Sequence, residues 1–106
     1  MNENFNWGDT DQEYVNLFST ENFIDKTYEK HYKVKKDDII VDIGSNYGSF
    51  SYSIKDSKPK KIYCIEPSEK IFPVLKNNLK DAPCIFINKG ISNIDSQNHI
   101  ICENTN

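Results

Sequence analysis

The stretch "IIVDIGSNYGSFSYSI", residues 39 to 54, constrains the fold more than any other part of the chain. Its first five residues are apolar on both faces apart from Asp42, the composition of a strand buried inside a parallel sheet. The run breaks into a turn with glycines at 44 and 48. Tyr47, Phe50 and Ile54 then resume at helical spacing. Strand, loop and helix in that order put the loop at the carboxyl end of a strand, where ligands of open α/β sheets bind.

The remainder alternates in the same way. "IYCIE" (62–66) reads as a second buried strand and "CIFINKGI" (84–91) as a third. "NHIICE" (98–103) is a candidate fourth, lying beyond the third. From Ser68 a helix carries Ile71, Phe72, Leu75 and Leu79 inward. Pro73 removes a backbone donor there, so a kink or a late helix start is expected. "STENFIDKTYEKHYKV" (19–34) reads as a helix capped by Ser19 or Thr20, with Phe23, Ile24, Tyr28, His31 and Tyr32 on one face. Residues 1–18 have weak periodicity and are expected to form an N-terminal extension, with Tyr14, Leu17 and Phe18 as docking points. Residues 35–38 and 55–61 are turns. Short strands alternating with helices call for a parallel α/β sheet, each helix covering one face.

Length and composition narrow the class. At 106 residues the chain is at most one domain, and 37% hydrophobic with 12% aromatic residues is a globular composition. A net charge of −3 gives no general pull toward nucleic acid or an anionic membrane. All 13 basic residues are lysine, so bidentate arginine clamps on phosphate or carboxylate are absent. Cys64, Cys84 and Cys102 are widely spaced and odd in number, which suits neither a disulfide framework nor a zinc site. Cys64 reads as a small buried hydrophobe. A reduced cytoplasm fits this cysteine usage, the polar N-terminus lacks the regions of a signal peptide, and no apolar run reaches membrane-spanning length.

A Walker phosphate loop is excluded, because Gly48 is followed by Ser49 and Phe50 rather than by lysine and a hydroxyl residue. The dinucleotide fingerprint fails less completely. Its third glycine is missing, yet Glu66 ends the second strand at a distance suited to ribose hydroxyls. The pattern that fits is D-x-G-x-N-x-G followed by E-P. Gly44 and Gly48 allow an unusual φ and close backbone approach to a ligand. Exposed amides and carbonyls can then grip an amino acid's ammonium and carboxylate while Glu66 accepts from a ribose. An adenosine with an amino-acid tail is S-adenosyl-L-methionine. Plainer roles stand beside these: Asp42 as a turn cap, Glu66 as a solvated strand end, Lys89 as a solvated charge, and Tyr47 and Phe50 as core.

Together "VDIGSNYGSFS", "CIEPSEKIFPVLKNNL" and "INKGIS" resemble the opening motifs of class I S-adenosylmethionine-dependent methyltransferases, and more particularly the FkbM-type family. The resemblance covers roughly residues 23 to 95. It implies a Rossmann-like sheet with parallel strands in the order 3-2-1, and O-methylation of a saccharide or secondary-metabolite hydroxyl. It places Asp42, Gly44, Ser45, Asn46 and Gly48 around the methionine moiety and Glu66 on the ribose. Pro67 and Ser68 border the adenine, with Lys89 and Gly90 as the far wall of its pocket. Ser45 and Gly90 stand where such families often have alanine. Residues 19–106 are thus expected to be the S-adenosylmethionine-binding half of a truncated methyltransferase fold. The group that handles the acceptor hydroxyl belongs to the other half, so no catalytic residue is assigned. The first strand would lack a neighbour on one edge, so either the chain is a fragment of a longer product, or a second chain or self-association completes the sheet, or the polypeptide is marginally stable. A remnant that at most binds the cofactor weakly is the alternative function.

Overall fold

The computed structural model describes residues 5–20, 22, 26–30, 32–94 and 97–102. Three parallel strands form its sheet: β1 (Ile39–Ile43), β2 (Lys61–Ile65) and β3 (Cys84–Ile87), with β2 in the middle. Ile39 pairs with Lys61 and Ile43 with Ile65, while Ile62 pairs with Cys84. The spatial order is therefore 3-2-1, as the family resemblance implies.

Helix α2 (Ser49–Ile54) follows β1 through the glycine loop, and α3 (Phe72–Asn78) follows β2. Both cover one face of the sheet. Ile62, Cys64, Ile54, Phe72, Leu75 and Leu79 form its core, with Ile40, Phe50, Cys84 and Phe86 packed against them. Pro73 delays α3 as expected. The helix starts at Phe72 with the proline in its first turn, where a missing N–H costs nothing. The preceding turn is held by Ser68, whose Oγ accepts from the Ile71 N–H at 3.2 Å and whose carbonyl accepts from Phe72 at 3.0 Å.

The opposite face is open. Alternate residues of β1 point there, and Ile39, Val41 and Ile43 are 62%, 57% and 63% exposed, with Ile85 of β3 beside them at 39%. The expectation that each helix covers one face is met under α2 and α3, while the apolar residues Ile39, Val41 and Ile43 of β1 stay exposed. β1 is also an edge strand in this sheet. A flat apolar edge with unused backbone groups is a template for pairing with further polypeptide.

Three local expectations change. The third strand does not run through residues 84–91 but breaks at Asn88. β4 (Lys89–Ile94) then pairs antiparallel with β5 (Gln97–Cys102) as a separate hairpin, Gly90 opposite Ile101. The candidate fourth strand thus exists, paired to β4 instead of extending the sheet. Near the N-terminus, Ser19 does not cap the start of a helix but is the last residue of one, and Thr20 and Asn22 follow it in π-helical conformation. Helix α1 (Gln12–Ser19) is capped at its start by Asp11, whose side chain accepts from the Glu13 N–H. Val15 and Ser19 are buried, while Tyr14 and Leu17 are at least half exposed. Thr27–Lys30 form a single 3-10 turn, and residues 32–35 are not helical. Phe23, Ile24 and His31 of the expected helix lie outside the described residues.

Residues 5–9 form a strap across the body. Phe5 is buried against Tyr52, ring centroids 5.1 Å apart and nearly perpendicular. The Asn6 N–H donates to Asn78 Oδ1 at 2.9 Å, and Asn78 Nδ2 donates back to the Asn6 carbonyl at 2.8 Å and to that of Tyr47 at 2.9 Å. One side chain at the end of α3 therefore holds both the strap and the glycine loop. Asn78→Ala is expected to cost about 1–2 kcal/mol, the net worth of two or three such bonds. Urea denaturation gives the loss, and the fluorescence of Trp7, the one tryptophan of the chain, shifts to the red as the strap loosens.

Candidate functional site

The glycine loop leaves β1 through three left-handed residues: Gly44 at φ +71°, Asn46 at +55° and Gly48 at +92°. The Gly44 and Ser45 N–H groups both donate to the Ile65 carbonyl, at 2.8 and 2.9 Å. This pins the loop to the end of β2. A Cβ at Gly44 would meet nothing within 4 Å, so glycine there serves the backbone conformation and leaves an open side from which a ligand can approach. Gly48 differs. Its α-carbon faces Leu75 and Leu79, and it sits at the junction where α2 packs on α3.

Glu66 is buried at the end of β2, and both carboxylate oxygens are engaged by backbone. Oε1 accepts from the Asn46 N–H at 2.7 Å and Oε2 from the Ser68 N–H at 3.0 Å. One acid therefore ties the loop after β1 to the turn after β2. A carboxylate has about four acceptor positions, so two remain for further donors. Asn88, buried at the break between β3 and β4, donates from Nδ2 to the carbonyls of Glu66 (2.9 Å) and Pro67 (3.2 Å). Gly90 lies against the Pro67 ring, 3.2 Å from where its Cβ would stand. The expected site residues thus gather at the carboxyl ends of the strands, in two groups. Asp42, Gly44, Ser45 and Asn46 line a cavity of about 290 Å³ together with Trp7, Asn22, Tyr47, Ser49 and Phe50. Glu66, Pro67, Ser68, Asn88 and Gly90 form a cluster on the other side of the loop, joined to the first group by the Asn46–Glu66 bond. Lys89 begins β4 next to Gly90 and lines no part of that cavity, and Gly48 faces the core.

Asp42 is held from beneath. Ser51, fully buried on α2, donates to its Oδ2 at 2.6 Å and lies 3.6 Å from Cys64 Sγ. Ser45 Oγ bonds the Asp42 carbonyl at 2.8 Å. Burial pushes the Asp42 carboxyl above the ordinary aspartate value; the two serines pull it down, and the nearby Glu66 charge adds to the rise. The folded chain therefore holds a proton here more tightly than the unfolded chain does. Stability from this group is full at low pH and falls as pH rises through the folded-state value. Asp42→Asn keeps an acceptor for Ser51 and removes the charge. Thermal melts should show the variant matching the wild type below pH 4 and gaining on it as pH approaches neutrality.

Trp7, Asn22 and Ser51 were not foreseen as site residues. Asn22 Nδ2 donates to Ser49 Oγ across 27 residues and Ser51 reaches back 9 to Asp42, contacts that no local sequence signal announces. Among the described residues no group of three His, Cys, Asp or Glu side chains gathers as a metal site, and no helix is long and apolar enough to cross a membrane.

No protein-family model matches the chain, nor does any curated protein. Among solved structures, a candidate RNA methyltransferase from Pyrococcus horikoshii matches with a TM-score of 0.51 at 18% identity, over 76% of this chain and 40% of that one. The chain thus spans less than half the length of that structure. Sheet order, glycine loop and likeness together define the class of fold: a Rossmann-like sheet of the class I methyltransferase kind.

Proposed function

We propose that this chain is the S-adenosyl-L-methionine-binding half of a class I methyltransferase of the FkbM type. The observation that carries the reading is the Asn46–Glu66 bond. It sets a buried carboxylate with two spare acceptor positions 2.7 Å from the backbone of an open glycine loop. Glu66 would take the ribose hydroxyls; Asp42, Gly44, Ser45 and Asn46 would hold the amino-acid end, and Pro67, Ser68, Lys89 and Gly90 would border the adenine. Bound there, the cofactor supplies an electrophilic methyl group, and the protein's part is to align an acceptor oxygen with it.

The net charge of −3 and the lack of arginine favour a small-molecule or glycan hydroxyl over RNA as that acceptor, because RNA affinity rests on neutralised phosphates. The exposed apolar edge of β1 supports completion of the sheet by a partner chain or a second copy. Calorimetric titration of the folded chain with S-adenosylhomocysteine tests the reading. A dissociation constant in the micromolar range is expected, and a folded chain that takes up no ligand would sink it.

A further inference from the structure

The cavity beside the glycine loop has an unusual set of walls for a lysine-rich chain. Its lining contains one formal charge, Asp42, no lysine among the thirteen the chain carries, and three aromatic residues, Trp7, Tyr47 and Phe50. A carboxylate beside aromatic faces, with cationic side chains kept out, is the chemistry that selects an organic cation. Trp7 is no loose tail residue in this arrangement. Its ring packs on buried Phe5 with centroids 4.7 Å apart, and its neighbours Asn6 and Gly8 are fixed by Asn78 and by the bond from the Gly8 N–H to Asn6 Oδ1. Gly8, at φ +60°, runs so close to Tyr47 that a Cβ there would lie 2.5 Å from its ring. The strap is therefore seated before any ligand arrives.

We propose that Trp7 is a specificity-determining residue of the site, its indole forming an aromatic wall for the cationic sulfonium end of the cofactor. The inference rests on the cofactor reading above and deepens it. S-adenosylmethionine carries a positive sulfonium, whereas S-adenosylhomocysteine carries a neutral thioether of nearly the same shape. An aromatic face attracts the first and is indifferent to the charge-free second. Trp7 thus favours the methyl donor over the demethylated product and weakens product retention.

The test is calorimetric titration of both ligands into the wild-type chain, Trp7→Leu and Trp7→Phe, with quenching of the single tryptophan as a second readout in the wild type. In Trp7→Leu the preference for the sulfonium ligand should fall about five-fold, chiefly through weaker S-adenosylmethionine binding, while S-adenosylhomocysteine stays within about two-fold. Trp7→Phe keeps a ring against Phe5 and should lose only about two-fold of the preference; it decides the matter if the leucine variant does not fold. Equal weakening of both ligands, or an unchanged ratio in the variants, overturns the role of Trp7 and leaves the cofactor reading standing. Absence of binding of either ligand to the folded wild type overturns both.

Discussion

Glu66→Ala is expected to cost the chain about 3 kcal/mol and to abolish binding of S-adenosylhomocysteine. The Asn46 and Ser68 N–H groups would lose a charged acceptor in a site with little access to water. Each such loss is worth about 1.5–3 kcal/mol, against a total stability of about 0.05–0.15 kcal/mol per residue. The loop after β1 and the turn after β2 would then no longer share an anchor. Glu66→Gln separates the two consequences. Its carboxamide oxygen still accepts one backbone bond, so stability should fall by about 1 kcal/mol, while loss of the charge and of one acceptor should weaken ligand binding at least about ten-fold. Urea denaturation gives the first quantity and calorimetry the second. A glutamine variant that binds like the wild type would remove Glu66 from the ribose.

Gly48→Ala should be nearly as damaging to the fold. At φ +92° the new Cβ is strained, and it would lie 2.8 Å from Leu75 Cδ1 and 2.9 Å from Leu79 Cδ1. Both leucines are fully buried and cannot swing into solvent. Backbone strain and overpacking each contribute about 1–3 kcal/mol, so a loss of about 3 kcal/mol is expected. Gly44→Ala is the control. It has a positive φ of 71° but open space around its Cβ, so only the backbone cost of about 1 kcal/mol applies. Denaturation midpoints of the two variants should differ clearly, and equal midpoints would mean that α2 can move off α3 at little cost.

The parts of this fold that were legible in the sequence are those whose signal is local. β1 matched its expected bounds and β2 came within one residue, because "IIVDI" and "IYCI" are apolar on both faces and bounded by turn residues. The late start of α3 followed from Pro73 alone. The third strand was read too long because Cys84–Ile94 is punctuated only by Asn88-Lys89, a weak break. What redirects the chain there is the bonding of Asn88 to the Glu66 and Pro67 carbonyls, a contact that no window of sequence contains. α1 was missed because Tyr14 and Leu17 in its stretch are largely exposed and raise no clear periodic signal, and because a serine that suits a helix start ends this one. The glycine loop and Glu66 were legible as a pattern. Trp7 was not, since the strap reaches the loop through a side chain 72 residues away.

Cofactor binding at the glycine loop is tested most directly by titrating the isotope-labelled chain with S-adenosylhomocysteine and following the amide proton–nitrogen spectra. The largest shifts are expected at Gly44, Ser45, Asn46 and Ser68, with the Asn46 amide sensitive because its partner Glu66 takes up the ribose. Shifts should fade along α3 and be absent from the exposed face of β1. Saturable shifts confined to residues away from the glycine loop, or none from a folded chain at millimolar ligand, would contradict binding at that loop.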